Sequence, residues 1–142
     1  DLYCGIGTIG IFASKYVKQV YGIEIVEQAI EDAKENAKIN KVENAEFICG
    51  DVEFAFDELI NKKKIIPTAI IVDPPRKGLD EKTIQNILNI KPEKLVYISC
   101  NPATMVRDIA KMEDVYVAEK IQPVDMFPYT SHVECVVVLN LK

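Results

Sequence analysis

Four cysteines occur in this 142-residue chain, and Cys100 stands at the end of an apolar run directly before Asn101-Pro102. Asn at an N-cap followed by Pro at the first helical position marks a helix start. A thiol placed there meets the positive end of a helix dipole, which favours the nucleophilic thiolate. A second grouping is VDPPRKG, residues 72–78. Asp73 ends an apolar stretch, Pro74 and Pro75 stiffen the exit and remove two backbone donors, and Arg76 presents a guanidinium able to hold phosphate or a carbonyl oxygen bidentately. Arg107 is the only other arginine beside 15 lysines. It lies about a turn and a half into the helix after Cys100, so both arginines flank predicted strand ends. Glu134 opens an otherwise apolar stretch, where a charge is expensive unless it is used or paired. His132, the lone histidine, reads as a hydrogen-bonding loop residue, and Phe127 and Tyr129 as packing rather than a base-stacking platform. Cys4, Cys49 and Cys135 read as structural.

The segment CGIGTIG places Gly5, Gly7 and Gly10 as G-x-G-x-x-G between a strand and a helix, and Glu24 follows at the end of the next strand. The glycines allow a tight turn and close backbone approach to a ligand, and the carboxylate can accept from both hydroxyls of a ribose. This points to an adenosine-type cofactor but does not choose between a nicotinamide dinucleotide and S-adenosylmethionine. Asp1, four residues before Gly5, completes D-x-x-x-G-x-G, which is similar to the first motif of class I methyltransferases. In that motif the carboxylate lies near the methionine part of the cofactor. Asp51, after the following strand, sits where such folds contact adenine.

The elements that must position these groups alternate. Residues 1–3 read as the tail of a strand, 8–16 as a short helix, and 19–25 as a strand. Residues 26–39 read as an amphipathic helix with Ile30, Ala33 and Ala37 inward. Strand 45–49 and helix 51–62 follow. Residues 68–73 form a continuous apolar run expected of a strand buried on both faces. A helix over 81–89, with Ile84, Ile87 and Leu88 inward, precedes strand 94–99. The helix after Asn101 has a predicted inner stripe of Val106, Ile109 and Ala110. Strands 115–122 and 132–141 have no helix between them and should be antiparallel neighbours. The expected fold is α/β, a mostly parallel doubly wound sheet with a C-terminal antiparallel hairpin and a truncated first strand. Ligands of such sheets bind beyond the carboxyl ends of the strands. The hairpin again favours S-adenosylmethionine, since dinucleotide-binding sheets normally lack it.

Composition narrows the function classes. With 49% hydrophobic and 27% charged residues the chain reads as one soluble globular domain over 1–142. No apolar run approaches a membrane span and no signal peptide opens the chain. The cysteines show no metal-binding spacing and no disulfide pattern, so no metal and a reducing cytoplasmic setting are expected. The net charge of −5 argues against nucleic-acid binding by bulk electrostatics. The opening residues look like the middle of a strand, so the chain reads as a fragment.

DPPRKG is similar to the [D/N]-P-P-[Y/F] of amino-group methyltransferases, but Arg76 replaces the aromatic residue, which disfavours adenine amino methylation. Taken in order, DLYCGIG, DPPRKG, SCNPAT with the following RD, and DMFPYTSHVE resemble the catalytic domain of the RNA uracil-5-methyltransferases over essentially the whole chain. The resemblance implies a class I S-adenosylmethionine-dependent, Rossmann-like fold. It implies methylation of uridine in tRNA or rRNA, with Cys100 as nucleophile and Glu134 as base. Cofactor contacts are implied at Tyr3, Gly5, Gly7, Thr8, Glu24, Asp51 and Asp73. Arg76, Asn101 and Arg107 are candidate substrate contacts. The family's RNA-binding region is N-terminal and would lie outside this chain, so RNA is the expected partner mainly through that region. No protein partner is implied. Cytosine-C5 methylation, a cofactor-binding module without activity of its own, and a nicotinamide dehydrogenase stand as alternatives.

Overall fold

The computed structural model describes residues 1–142, which group into two compact units, Asp1–Lys64 and Ile65–Lys142. In the first unit Leu2 makes a parallel bridge to Ile23. The expected strand tail survives as this bridge and the flanking bonds Ile23 N–H to Asp1 O (2.9 Å) and Cys4 N–H to Ile23 O (3.0 Å). Helix α1 (Thr8–Ala13) runs into a 3-10 turn at Ser14–Tyr16, dividing the expected single helix. Strand β1 (Val20–Glu24) pairs in parallel with β2 (Ala45–Cys49), from Val20 opposite Ala45 to Glu24 opposite Cys49. Helix α2 (Glu27–Ile39) connects them, and α3 (Val52–Asn61) follows. Helical periodicity turns Ile30, Ala33 and Ala37 inward, where they pack with Cys4 and Phe47.

The second unit holds β3 (Ala69–Val72), α4 (Glu81–Ile90), β4 (Lys94–Ser99), α5 (Pro102–Ala110), β5 (Tyr116–Val124) and β6 (Glu134–Leu141). The strand order is β3-β4-β6-β5, with β3 parallel to β4 and β6 antiparallel to both its neighbours. The expected terminal hairpin is therefore present, and its second strand lies between β4 and β5. Asp80 caps α4 by accepting from Thr83 N–H at 2.7 Å.

Two packing expectations are corrected. In β3 only Ile70 and Val72 are buried, while Ala69 is exposed and Ile71 partly so, so the strand is not closed on both faces. In α5 the inward residues are Met105 and Asp108, whereas Val106 faces solvent and Ala110 is exposed. The stripe sits one position earlier because a charged residue, Asp108, lies on it.

Candidate active site

The glycine loop is built by backbone bonds and one carboxylate. Gly7 N–H bonds to Cys4 O at 2.9 Å, and Gly5 N–H to Glu24 Oε2 at 3.1 Å. The second Glu24 oxygen accepts from Val26 N–H at 3.0 Å. Glu24 thus sits at the carboxyl end of β1, where a ligand-binding acid belongs in this architecture. Tyr3, Gly5 and Gly7 all have positive φ, at 64°, 52° and 80°. The last two need glycine for different reasons. A Cβ on Gly7 would lie 2.9 Å from the Phe47 ring and 3.0 Å from Ala33 Cβ, whereas one on Gly5 would meet nothing within 4 Å. Gly7 therefore serves packing, and Gly5 borders open space. Thr8 is exposed at the first position of α1. Asp51 is exposed and caps α3 through Glu53 N–H at 2.9 Å.

Asp1 gives a test of cofactor fit. Its Oδ2 accepts from Gly10 N–H at 2.8 Å, while Oδ1 is buried without a partner. A buried acceptor left unsatisfied is costly, and the ammonium of a methionine moiety is a donor of suitable charge. This orphan oxygen, the Glu24 carboxylate and the open side of Gly5 match the chemistry of S-adenosylmethionine.

In the second unit, sheet register brings the chemistry together. β4 and β6 are antiparallel with Ser99 opposite Cys135. Cys100 and Glu134 are the residues that next follow this pair, one just past the end of β4 and one at the start of β6. Asp73 leaves β3 one residue after Val72, which pairs with Tyr97 on β4. Desolvation, and then the negative charge of Glu134, push the Asp73 carboxyl above its ordinary pKa. Three groups from three strands therefore share one end of this sheet. Cys100 is half-buried and free. Glu134 is partly buried, and no cation pairs with it.

The loops are tied behind these groups. Asn101 caps α5 through Ala103 N–H (3.2 Å) and donates Nδ2–H to Arg76 O (3.1 Å). Thr104 Oγ1 donates to the same carbonyl at 3.2 Å. The Arg76 side chain is exposed and makes one contact, Nη2 to His132 Nδ1 at 3.4 Å. Arg107 is spent on protein: Nε and Nη2 donate to Asp108 Oδ1 at 2.9 and 2.7 Å, and Nη2 also to Lys77 O at 2.8 Å.

Two further expectations fail. Phe127 and Tyr129 do not pack: Phe127 is half exposed and Tyr129 fully so, since the β5–β6 loop folds over no core. Among the cysteines expected to be structural, Cys4 and Cys135 are buried, and desolvation raises both thiols, Cys4 to about 11. Cys49 instead is exposed at the end of β2. Sequence reasoning also missed Asp108. Its signal was the spacing Met105, Asp108, Ile109, Met112, a helical stripe interrupted by one acid.

A family model described as tRNA (Uracil-5-)-methyltransferase matches residues 1–142. A Bacillus cereus protein named as an uncharacterized RNA methyltransferase is 50% identical over 141 residues, covering 99% of this chain and 30% of its own length. A Staphylococcus aureus protein of the same description is 51% identical over 145 residues and is 31% covered. The chain thus spans about a third of these curated relatives. The crystal structure of Pyrococcus abyssi tRNA (uracil-54, C5)-methyltransferase, in complex with S-adenosyl-L-homocysteine, superposes with TM-score 0.82 at 37% identity, over 98% of this chain and 33% of that one. An rRNA methylase from Streptococcus thermophilus, at 19% identity and TM-score 0.76 over 99% of this chain and 84% of its own, shares the fold. The fold is the class I S-adenosylmethionine-dependent methyltransferase fold.

Proposed function

The chain belongs to the tRNA (uracil-5-)-methyltransferase family, and on that premise we propose that the protein containing it methylates C5 of a uridine in structured RNA through a covalent adduct at Cys100. The observation that supports the reading is the β4–β6 register, whose last pair, Ser99 opposite Cys135, adjoins Cys100 and Glu134. Residues 1–142 act as one catalytic domain, and the part of the relatives' length outside this chain is assigned RNA recognition. A net charge of −5 here agrees with that division.

Uracil C5 is too weak a nucleophile to take a methyl group unaided. Cys100, as thiolate, adds to C6, and the electron pair of the C5–C6 double bond moves toward O4 as an enolate. We assign that oxygen to Arg76, whose guanidinium has one protein contact and N–H groups left to donate. Asn101 and Arg107 hold the loops instead, through the bonds to Arg76 O and to Lys77 O. S-adenosylmethionine, when bound, supplies the electrophilic methyl group that C5 takes up. Glu134 then removes the C5 proton. That electron pair rebuilds the double bond and expels Cys100 as thiolate. The cofactor contacts are assigned to Tyr3, Gly5, Thr8, Glu24 and Asp51, with Gly7 shaping the loop and Asp73 retained as a contact. The target base has to leave its stack to be reached.

The test uses full-length protein and RNA bearing 5-fluorouridine. Fluorine cannot leave C5 as a proton does, so a methylated covalent adduct should accumulate. Absence of the adduct, or its persistence in Cys100→Ala, refutes the assignment.

A further inference from the structure

Asp108 is fully buried on α5, the helix that starts two residues after Cys100. Four donors converge on its carboxylate. Leu79 N–H and Tyr97 O–H reach Oδ2 at 2.8 and 2.7 Å, and Arg107 Nε and Nη2 reach Oδ1 at 2.9 and 2.7 Å. The approach is close enough to require glycine at 78, where φ is +82° and a Cβ would lie 2.4 Å from Asp108 Oδ2 and 2.6 Å from Arg107 Nη2. Arg107 holds the Lys77 carbonyl, and Asn101 and Thr104 hold that of Arg76. Side chains from α5, or from its cap, therefore grip the backbone of residues 76, 77 and 79. A buried carboxylate is a poor device for stability alone, since an apolar side chain of similar volume fills such a site as well or better. Its distinct capacity is geometric, because fixed donors at both oxygens leave the turn one register.

We infer that Asp108 is a positioning residue. Through Arg107 and the Leu79 amide it fixes the loop carrying Arg76 against the helix that follows Cys100. The inference deepens the reading in which Cys100 and Arg76 act on the base, and it rests on that reading. Misplacement of about 1 Å at a reacting centre costs roughly 10²-fold in rate.

The experiment compares full-length wild type, Asp108→Asn and Arg107→Lys. Arg107→Lys keeps the charge at a half-exposed position but cannot form the fork, so it guards against failure of Asp108→Asn to fold. Three quantities are read: amide exchange across residues 76–79, the rate of 5-fluorouridine adduct formation at saturating RNA, and affinity for S-adenosylhomocysteine. Exchange at Leu79 should rise at least about tenfold in both variants. Adduct formation should fall about 10²-fold in Asp108→Asn and about tenfold in Arg107→Lys, with cofactor-product affinity held within about threefold. Wild-type adduct rates in the two variants overturn the inference. So do unchanged exchange at Leu79 and equal losses of adduct formation and cofactor-product affinity. If wild type itself forms no adduct, the Cys100 reading fails separately, and exchange at Leu79 alone decides whether Asp108 holds the loop.

Discussion

The glycine loop of the first unit and the Cys100 region of the second each shape the end of a strand, by opposite means. The first uses backbone. Tyr3, Gly5 and Gly7 adopt left-handed conformations, and one carboxylate, Glu24, ties two amides. The second uses side chains. There a buried acid, Asp108, holds the turn after Arg76 through Leu79 N–H and Tyr97 O–H. A backbone cradle tolerates change wherever the added atom finds space. A side-chain site is only as exact as the network behind it.

The largest test of this contrast removes the thiol. Cys100→Ala in the full-length protein should lower methyl transfer by more than about 10⁴-fold, while calorimetry with S-adenosylhomocysteine stays unchanged. A parallel loss of binding would end the division of labour between the two regions. Glu134→Gln should lower turnover by about 10³-fold yet leave thiol addition and methyl uptake intact. The methylated adduct should therefore accumulate on ordinary RNA, seen as a protein–RNA band that resists denaturation.

Stability gives the next contrast. Asp108→Ala should cost about 3 kcal/mol in denaturant unfolding, because it leaves a buried tyrosine hydroxyl and amide without their acceptor. Gly7→Ala should cost about 2 kcal/mol through its φ and the Phe47 ring. Gly5→Ala should cost about 1 kcal/mol but weaken S-adenosylhomocysteine binding more than Gly7→Ala does, since its Cβ enters open space rather than the core.

The smallest effect is a pH dependence. Asp73 binds its proton more tightly folded than unfolded, because it is desolvated and faces Glu134. Its contribution is therefore most favourable below the ordinary aspartate pKa of 3.8 and is lost as pH rises through the folded value. Asp73→Asn should flatten that stretch of the Tm–pH curve, by under about 1 kcal/mol because solvent still screens this partly desolvated carboxyl.

Much of the fold is legible in the chain because each element has its own period. The structure shifts most boundaries by a residue or two, and β2 and β4 match the expected 45–49 and 94–99. The pairing of the last two strands follows from the absence of a helix between them. Three features were hidden. Asp108 breaks the apolar stripe of α5, so periodicity selected Val106 and Ala110 in place of Met105. Gly7 reads as a cofactor contact, and its packing against Phe47, forty residues away in sequence, gives it a second constraint. The aromatics Phe127 and Tyr129 suggested packing, and no element lies beneath their loop to receive them. Each is a tertiary fact, visible only when distant segments meet.

The place of β6 between β4 and β5 has a consequence for synthesis. Cys100 emerges from the ribosome well before Glu134, and β5 has no partner in the sheet until β6 is made. Until β6 pairs, β4 offers an unpaired edge open to wrong partners. On the proposed mechanism, an incomplete chain would carry the Cys100 thiol without the carboxylate assigned to release its product.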